Sequence, residues 1–244
     1  MSASLSILRR GVAGQVAEEE DAALRSANDR ERTWDPQQFV QEQMRGLVRR
    51  VFLQGWPRPA RQVVFSAASP QLEIASLCRK TGEVLAGEGA GRVALVEANF
   101  QTPALEQSFG GTSNDGGGDS ETAGALRKSS RRIAHNLWLV PAATFLGCAE
   151  NGHNATWLRS RLGELRREFD FAVIQALPTG ESGGSAAFLA NLADGLVLAL
   201  EAHRTRRLTA TKIREQLSAA NVRLLGVVLH DRSFPIPEKL YRRL

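Results

Sequence analysis

Long apolar runs are missing from this chain of 244 residues. None approaches the ~18 to 20 residues that a membrane-spanning helix needs. The N-terminus has no apolar signal core either, so a cytoplasmic protein is expected. Cysteine is scarce. Cys78 and Cys148 lie far apart, in apolar stretches, without metal-ligand or redox spacing. Both read as small buried residues, which fits a reducing compartment. The four histidines, His135, His153, His203 and His230, show no ligand spacing, so no metal site is expected. Tyrosine occurs once, at Tyr241. It is expected to pack with Phe234, Ile236 and Leu240 against the domain or a partner.

What is present suits one large domain. Hydrophobic residues make up 43% and charged residues 23%, enough for an ordinary core. The formal net charge is +5. That is a weak bias toward acidic partners or anionic surfaces, and it also fits a solvated basic surface.

Residues 1–34, with the acidic run Glu18, Glu19, Glu20, Asp21, lack apolar periodicity and read as a mobile arm. From Pro36 to residue 54 apolar residues recur at three- and four-residue steps, as in an amphipathic helix. Strands are then predicted at Gln62–Ala67, Arg92–Ala98, Leu137–Pro141, Phe171–Ala176, Gly195–Leu200 and Arg223–Leu229. Helices are predicted at Leu72–Ala86, Asn154–Glu168, Ser185–Ala193 and Arg207–Ala220. Near-continuous apolar strands alternating with helices imply an α/β fold of three layers, a mostly parallel sheet covered on both faces. Ligands bind such sheets beyond the carboxyl ends of the strands. The stretch Gly110–Ser120 has five glycines among polar residues and reads as a flexible loop. The serine of Gly184-Ser185 reads as an N-cap.

Four pieces in order, VVFSAASPQLEIAS, RVALVEANFQTPALEQSFG, FDFAVIQALP and ADGLVLAL, carry a resemblance. From about Glu42 onward the chain resembles the cytoplasmic domain of bacterial exopolysaccharide tyrosine autokinases, of the MinD/ParA-like group of P-loop ATPases. The resemblance implies a P-loop NTPase-like domain over 35–244. It places a phosphate loop at Ser69-Pro70-Gln71-Leu72-Glu73-Ile74-Ala75, an acidic second motif at Glu97 and Asn99, and a third motif at Gln175.

The chemistry residues depart from that pattern. A phosphate loop needs glycines for its backbone N–H groups, a lysine for phosphate oxygens and a Ser/Thr hydroxyl for Mg²⁺. Glu73 stands in place of the last loop glycine, Ile74 in place of the lysine and Ala75 in place of the Ser/Thr. Glu73 would repel a triphosphate. Of the second motif's two aspartates, Glu97 retains a charge and Asn99 only an amide, and Gln101-Thr102 replaces the basic pair before proline. Gln175 replaces an aspartate of the metal shell. The expectation is a nucleotide site without chemistry, no cofactor, and action through protein contacts. ATP and Mg²⁺ enter only under an alternative in which Glu97 and Ser76 act as substitutes. A tyrosine cluster to phosphorylate is absent.

The family closes a ring of subunits through a Glu-x-x-Arg-x-x-Arg helix. Here Glu42 and Arg45 are retained, and Arg49 lies one step past the third position, about 100° round the helix. These three are candidates for an oligomer contact, and Met44, Leu47, Val48 and Val51 could face either a neighbour or the chain's own sheet. The expected role is a non-catalytic adaptor or regulatory subunit of exopolysaccharide synthesis or export. Its expected partner is a membrane polysaccharide co-polymerase or an intact homologue, with only peripheral contact to the membrane. Another alternative is a MinD/ParA-like positioning or nucleic-acid-associated protein, suggested by the basic C-terminal part from Arg204 onward. No nucleic-acid reader motif supports it.

Overall fold

The structure is a computed structural model that describes residues 36–53, 59–110, 124–147, 154–180 and 184–230. One compact unit comprises residues 1–41 and 234–244, of which only 36–41 are described. A second spans Glu42–Ser233 and carries the sheet and the helices packed on it. The arm expected over 1–34, the loop expected over 110–120 apart from Gly110, and Cys148 and Tyr241 lie outside the described residues.

Helix α1 (Pro36–Val48) continues into one π-helical turn, Arg49–Leu53. The core elements follow in alternation. They are β1 (Gln62–Ala67), α2 (Ala75–Gly87), β2 (Val93–Ala98), and the short helices α3 (Ala104–Gln107) and α4 (Ala125–Lys128). Next come β3 (Arg131–Ala134), β4 (Leu137–Val140), α5 (Ala142–Leu146), α6 (Ala155–Glu168), β5 (Phe171–Ala176), α7 (Ser185–Leu192), β6 (Gly195–Glu201), α8 (Arg207–Ala219) and β7 (Leu224–His230). The strands form one sheet in the order β3-β4-β2-β5-β1-β6-β7. Every pairing is parallel except β3 with β4.

Period-two alternation sends successive side chains of each strand to opposite faces. Along β1, Val63 and Phe65 join one half of the core, with Val48, Phe52, Leu85 and Leu95. Val64 joins the other, with Val96, Phe145, Leu158, Leu162 and Ile174. All residues of β1, β2 and β4 are buried, as a sheet covered by helices on both faces requires. Gly82 lets α2 settle on β2, since a Cβ there would lie 2.6 Å from Leu95 Cδ2.

Carboxylates anchor the amino ends of the strands. Asp194 Oδ2 accepts from the backbone N–H of Arg61 and of Gln62, each at 2.8 Å, and Asp170 Oδ2 accepts from that of Arg92 at 2.8 Å.

Several boundaries differ from expectation. Helix α2 starts at Ala75 rather than Leu72, because Ser69-Pro70 forms a turn in which Leu72 N–H donates to the Ser69 carbonyl at 3.2 Å. Leu72 still buries its side chain from that turn. Ser185 is the first residue of α7 and not its cap. Gly184 holds the N-cap position, and no side chain caps the helix. Strand β3 is absent from the sequence reading. Its residues, Arg-Arg-Ile-Ala, are half-buried and exposed in alternation and lack the apolar run that marks the other strands.

Candidate functional site

The carboxyl ends of β1, β2 and β5 meet at the middle of the sheet. Phe65 is in register with Gln175, and Gln175 with Glu97, so three adjacent strands place these residues at one level. The phosphate-loop counterpart, Glu97, Asn99 and Gln175, far apart in sequence, thus converge on one edge of the sheet.

The loop from Ala68 to Ile74 does not form a phosphate cradle. It contains Pro70 and no glycine. Ser69 is half-buried, Pro70, Gln71 and Glu73 are exposed, and Leu72, Ile74 and Ala75 are buried. Ile74, at the lysine position, occupies the N-cap of α2 with its side chain in the core. Glu73 leaves a carboxylate at the surface beside it. The first cation along α2 is Arg79, whose guanidinium is held by Glu83 at 2.8 Å, by the Ser108 carbonyl at 3.0 Å and over the Phe109 ring at 4.8 Å.

Glu97 is fully buried, and both of its oxygens accept backbone hydrogen bonds. Oε1 accepts from Asn99 N–H at 3.1 Å and Oε2 from Leu105 N–H at 2.9 Å. It thereby ties the end of β2 to the start of α3. Burial pushes its pKa up to about 8, with Glu106 adding to the shift, against the backbone N–H groups that favour the charged form. Asn99 is a turn former. Its Oδ1 accepts from the N–H groups of Gln101 and Thr102 at 2.9 and 3.2 Å, and its amide donates to Thr102 Oγ1 at 2.8 Å. The Asn-x-x-Thr-Pro spacing is the sequence signal for this turn.

Gln175 is buried, and its Oε1 has no hydrogen-bond partner among the described residues. Beside this level lies a polar pair that sequence reasoning missed. Ser66 Oγ is 2.7 Å from Thr179 Oγ1 and donates to the Leu177 carbonyl at 2.7 Å, while Thr179 N–H donates to the Ala67 carbonyl at 2.8 Å. No motif marks these residues, because they hold the β1 and β5 ends together rather than form a chemical constellation. Cys78 is buried and free, and burial followed by the nearby Glu97 pushes its thiol pKa well up. It is an inert packing residue, as expected.

The residues present do not fit a magnesium–triphosphate group. The loop offers no cation and no backbone nest, both Glu97 oxygens are occupied, and Asn99 is committed to its turn. Among the described residues, no group of three or more His, Cys, Asp or Glu side chains could hold a metal ion, and no helix is long and apolar enough to cross a membrane.

Helix α1 is separate from this site. Met44, Val48, Val51 and Phe52 are buried in the chain's own core. Phe52 meets Phe171 edge to face, with centroids 6.0 Å apart. Of the two orientations left open by the sequence, the helix takes the internal one for these residues. Arg45 and Arg49 both turn toward Glu88, at 3.7 and 3.8 Å. Glu42 sits at the exposed start of the same stretch.

No protein-family model and no curated protein sequence matches the chain. Solved structures do. The chain superposes on the chimerical protein CapA2B2 with a TM-score of 0.64 at 15% identity, covering 82% of this chain and 87% of that one. It matches the VpsO kinase domain with a TM-score of 0.61 at 18% identity, covering 81% and 98%. The MinD-containing MinC:MinD complex of Aquifex aeolicus follows, with a TM-score of 0.53 at 17% identity, covering 70% and 68%. The chain therefore has the three-layer, mostly parallel α/β fold of P-loop NTPases, in the form shared by bacterial tyrosine-kinase domains and MinD.

Proposed function

We propose that the protein is a non-catalytic counterpart of the exopolysaccharide tyrosine-kinase domains, a cytoplasmic adaptor or regulatory subunit that works through protein contacts. The observation that carries this reading is the buried Ile74 at the head of α2, with exposed Glu73 beside it, where a phosphate loop presents its lysine and glycine amides. Phosphoryl transfer depends on cations and metal ligands at this point to stabilise charge. Glu97 and Asn99 hold local structure instead, and Gln175 carries no charge. The partner class that goes with this reading is a membrane polysaccharide co-polymerase or an intact homologue. Such a partner would also recruit the protein to the inner membrane.

The test is calorimetric titration of the purified protein with ATP–Mg²⁺, together with a phosphate-release and tyrosine-phosphorylation assay. The expected result is no turnover above a blank and no adenine-dependent binding. Turnover that disappears on Glu97→Gln would overturn the reading in favour of an unorthodox ATPase or kinase. Salt-sensitive DNA binding would favour the positioning alternative.

A further inference from the structure

A concave site lies at the opposite end of the strands from the β1–α2 loop, at the amino ends of β2 and β5. It is a cleft of about 580 Å³ between α4 and α6, lined by Arg92, Arg127, Arg161 and Arg167, by Glu164 and Glu168, and by the backbone of Gly124 and Ala125. Its size is that of a small-molecule site. Arg92 immediately precedes β2, and Glu168 ends α6 just before β5, so the cleft shares no residue with the β1–α2 loop.

The acceptors on its wall are already used. Glu168 receives the backbone N–H groups of Leu126 and Arg127, at 3.3 and 2.6 Å, at the start of α4. Glu164 receives Arg161 Nη1 at 2.7 Å. Arg92 is itself paired with Asp170 Oδ2 at 3.3 Å, so the donors in excess are those of α6. Arg161 Nε is buried without a hydrogen-bond partner, while its guanidinium carbon lies over Trp157, 4.7 Å from the ring centroid. Arg167 is exposed on the same helix and makes no ion pair or hydrogen bond among the described residues. The ring contact and the Glu164 ion pair hold the Arg161 guanidinium in place before any ligand arrives, so little ordering entropy is lost on binding.

We infer that this cleft binds a small phosphorylated anion through Arg161 and Arg167. Two guanidinium forks favour a ligand with two or more negative charges and several acceptor oxygens, which is the chemistry of phosphate esters and pyrophosphates. The binding needs neither metal nor covalent chemistry.

The test uses the full chain and inorganic pyrophosphate, followed by thermal shift and calorimetry at low salt, with succinate as a dicarboxylate comparison. Pyrophosphate should bind and raise the melting temperature, succinate should do so far less, and affinity should fall as salt rises. Arg161→Gln with Arg167→Gln should weaken binding by about tenfold or more. Arg206→Gln with Arg207→Gln, which removes the same charge at the start of α8, should leave it unchanged. Arg167→Gln alone removes no contact made within the described chain, so its weaker binding serves if the double variant misfolds. Equal loss in the α8 variant, unaltered binding in Arg167→Gln, or succinate binding as well as pyrophosphate would each overturn the assignment. ATP binding lost in the cleft variant belongs to the cleft through its phosphates. ATP binding that persists there belongs to the β1–α2 loop, and it would overturn the non-catalytic reading instead.

Discussion

Glu97 and Gln175 lie side by side on parallel strands β2 and β5, both buried, yet only Glu97 has its acceptors filled. A buried acceptor without a donor costs about 1–3 kcal/mol. Gln175→Leu, close in volume, is therefore expected to stabilise the fold by about 1 kcal/mol or more, read from the urea midpoint at constant slope. A clear loss of stability would show that a donor satisfies Gln175 Oε1 in solution.

Glu97 should make stability depend on pH. Its carboxyl moves from an ordinary 4.5 to about 8 on folding. The folded state therefore binds the proton more tightly than the unfolded chain. The sign follows: below pH 4.5 both states hold the proton, and stability from this group falls as pH rises from there to about 8. Each unit of difference is worth about 1.4 kcal/mol. Glu97→Gln removes the titration but turns an amide N–H₂ toward one of the two backbone donors. The variant should be the less stable protein near pH 5 and should gain on the wild type as pH rises toward 8. A pH-independent difference in denaturation free energy would refute this.

Restoring a lysine at the loop should not restore chemistry. Ile74→Lys places an ammonium group where the structure has a core side chain. It is expected to cost several kcal/mol of stability or to force a depressed lysine pKa. Phosphate release should stay at the blank, because the hydroxyl and the metal carboxylates are still lacking. Recovery of turnover in this single variant would contradict the account given for the loop.

Helix α1 separates packing from charge. Phe52→Ala should destabilise the chain by about 3–5 kcal/mol, since it empties a fully buried ring site against Phe171. Reversing charge with Glu42→Arg and Arg45→Glu should change stability by only about 1 kcal/mol or less. Light scattering on the same charge variant tests assembly. A fall in mass from an oligomeric wild type would assign Glu42, Arg45 and Arg49 to a contact between chains. A monomeric wild type, alone and with a co-polymerase fragment, would remove that role.

Much of the architecture was legible before any coordinates. The strands at Gln62–Ala67 and Phe171–Ala176 stand where the apolar runs put them, because a strand buried on both faces leaves an unbroken apolar signature. Strand β3 and the three short helices α3, α4 and α5 were not legible. Helices of four or five residues give barely one turn to read, and Arg131–Ala134 is a strand through its pairing with β4 rather than through its own composition.

The candidate site divides in the same way. The departures read at Glu73, Ile74, Ala75, Asn99 and Gln175 rest on the resemblance and on residue type alone, which the sequence contains. Their present occupations could not. That Ile74 points into the core, that Glu97 takes two backbone N–H groups, and that Gln175 has an unmet acceptor depend on neighbours many residues away. The same holds for the apolar side of α1, which a helical period describes equally well against a neighbour or against the chain's own sheet. It holds again for the arginines of the α4–α6 cleft, scattered from Arg92 to Arg167 and gathered only by the parallel register of β2 and β5. Local pattern depends on burial and backbone period, which a short window of residues contains. A site depends on distances between segments, which exist only once the sheet has formed.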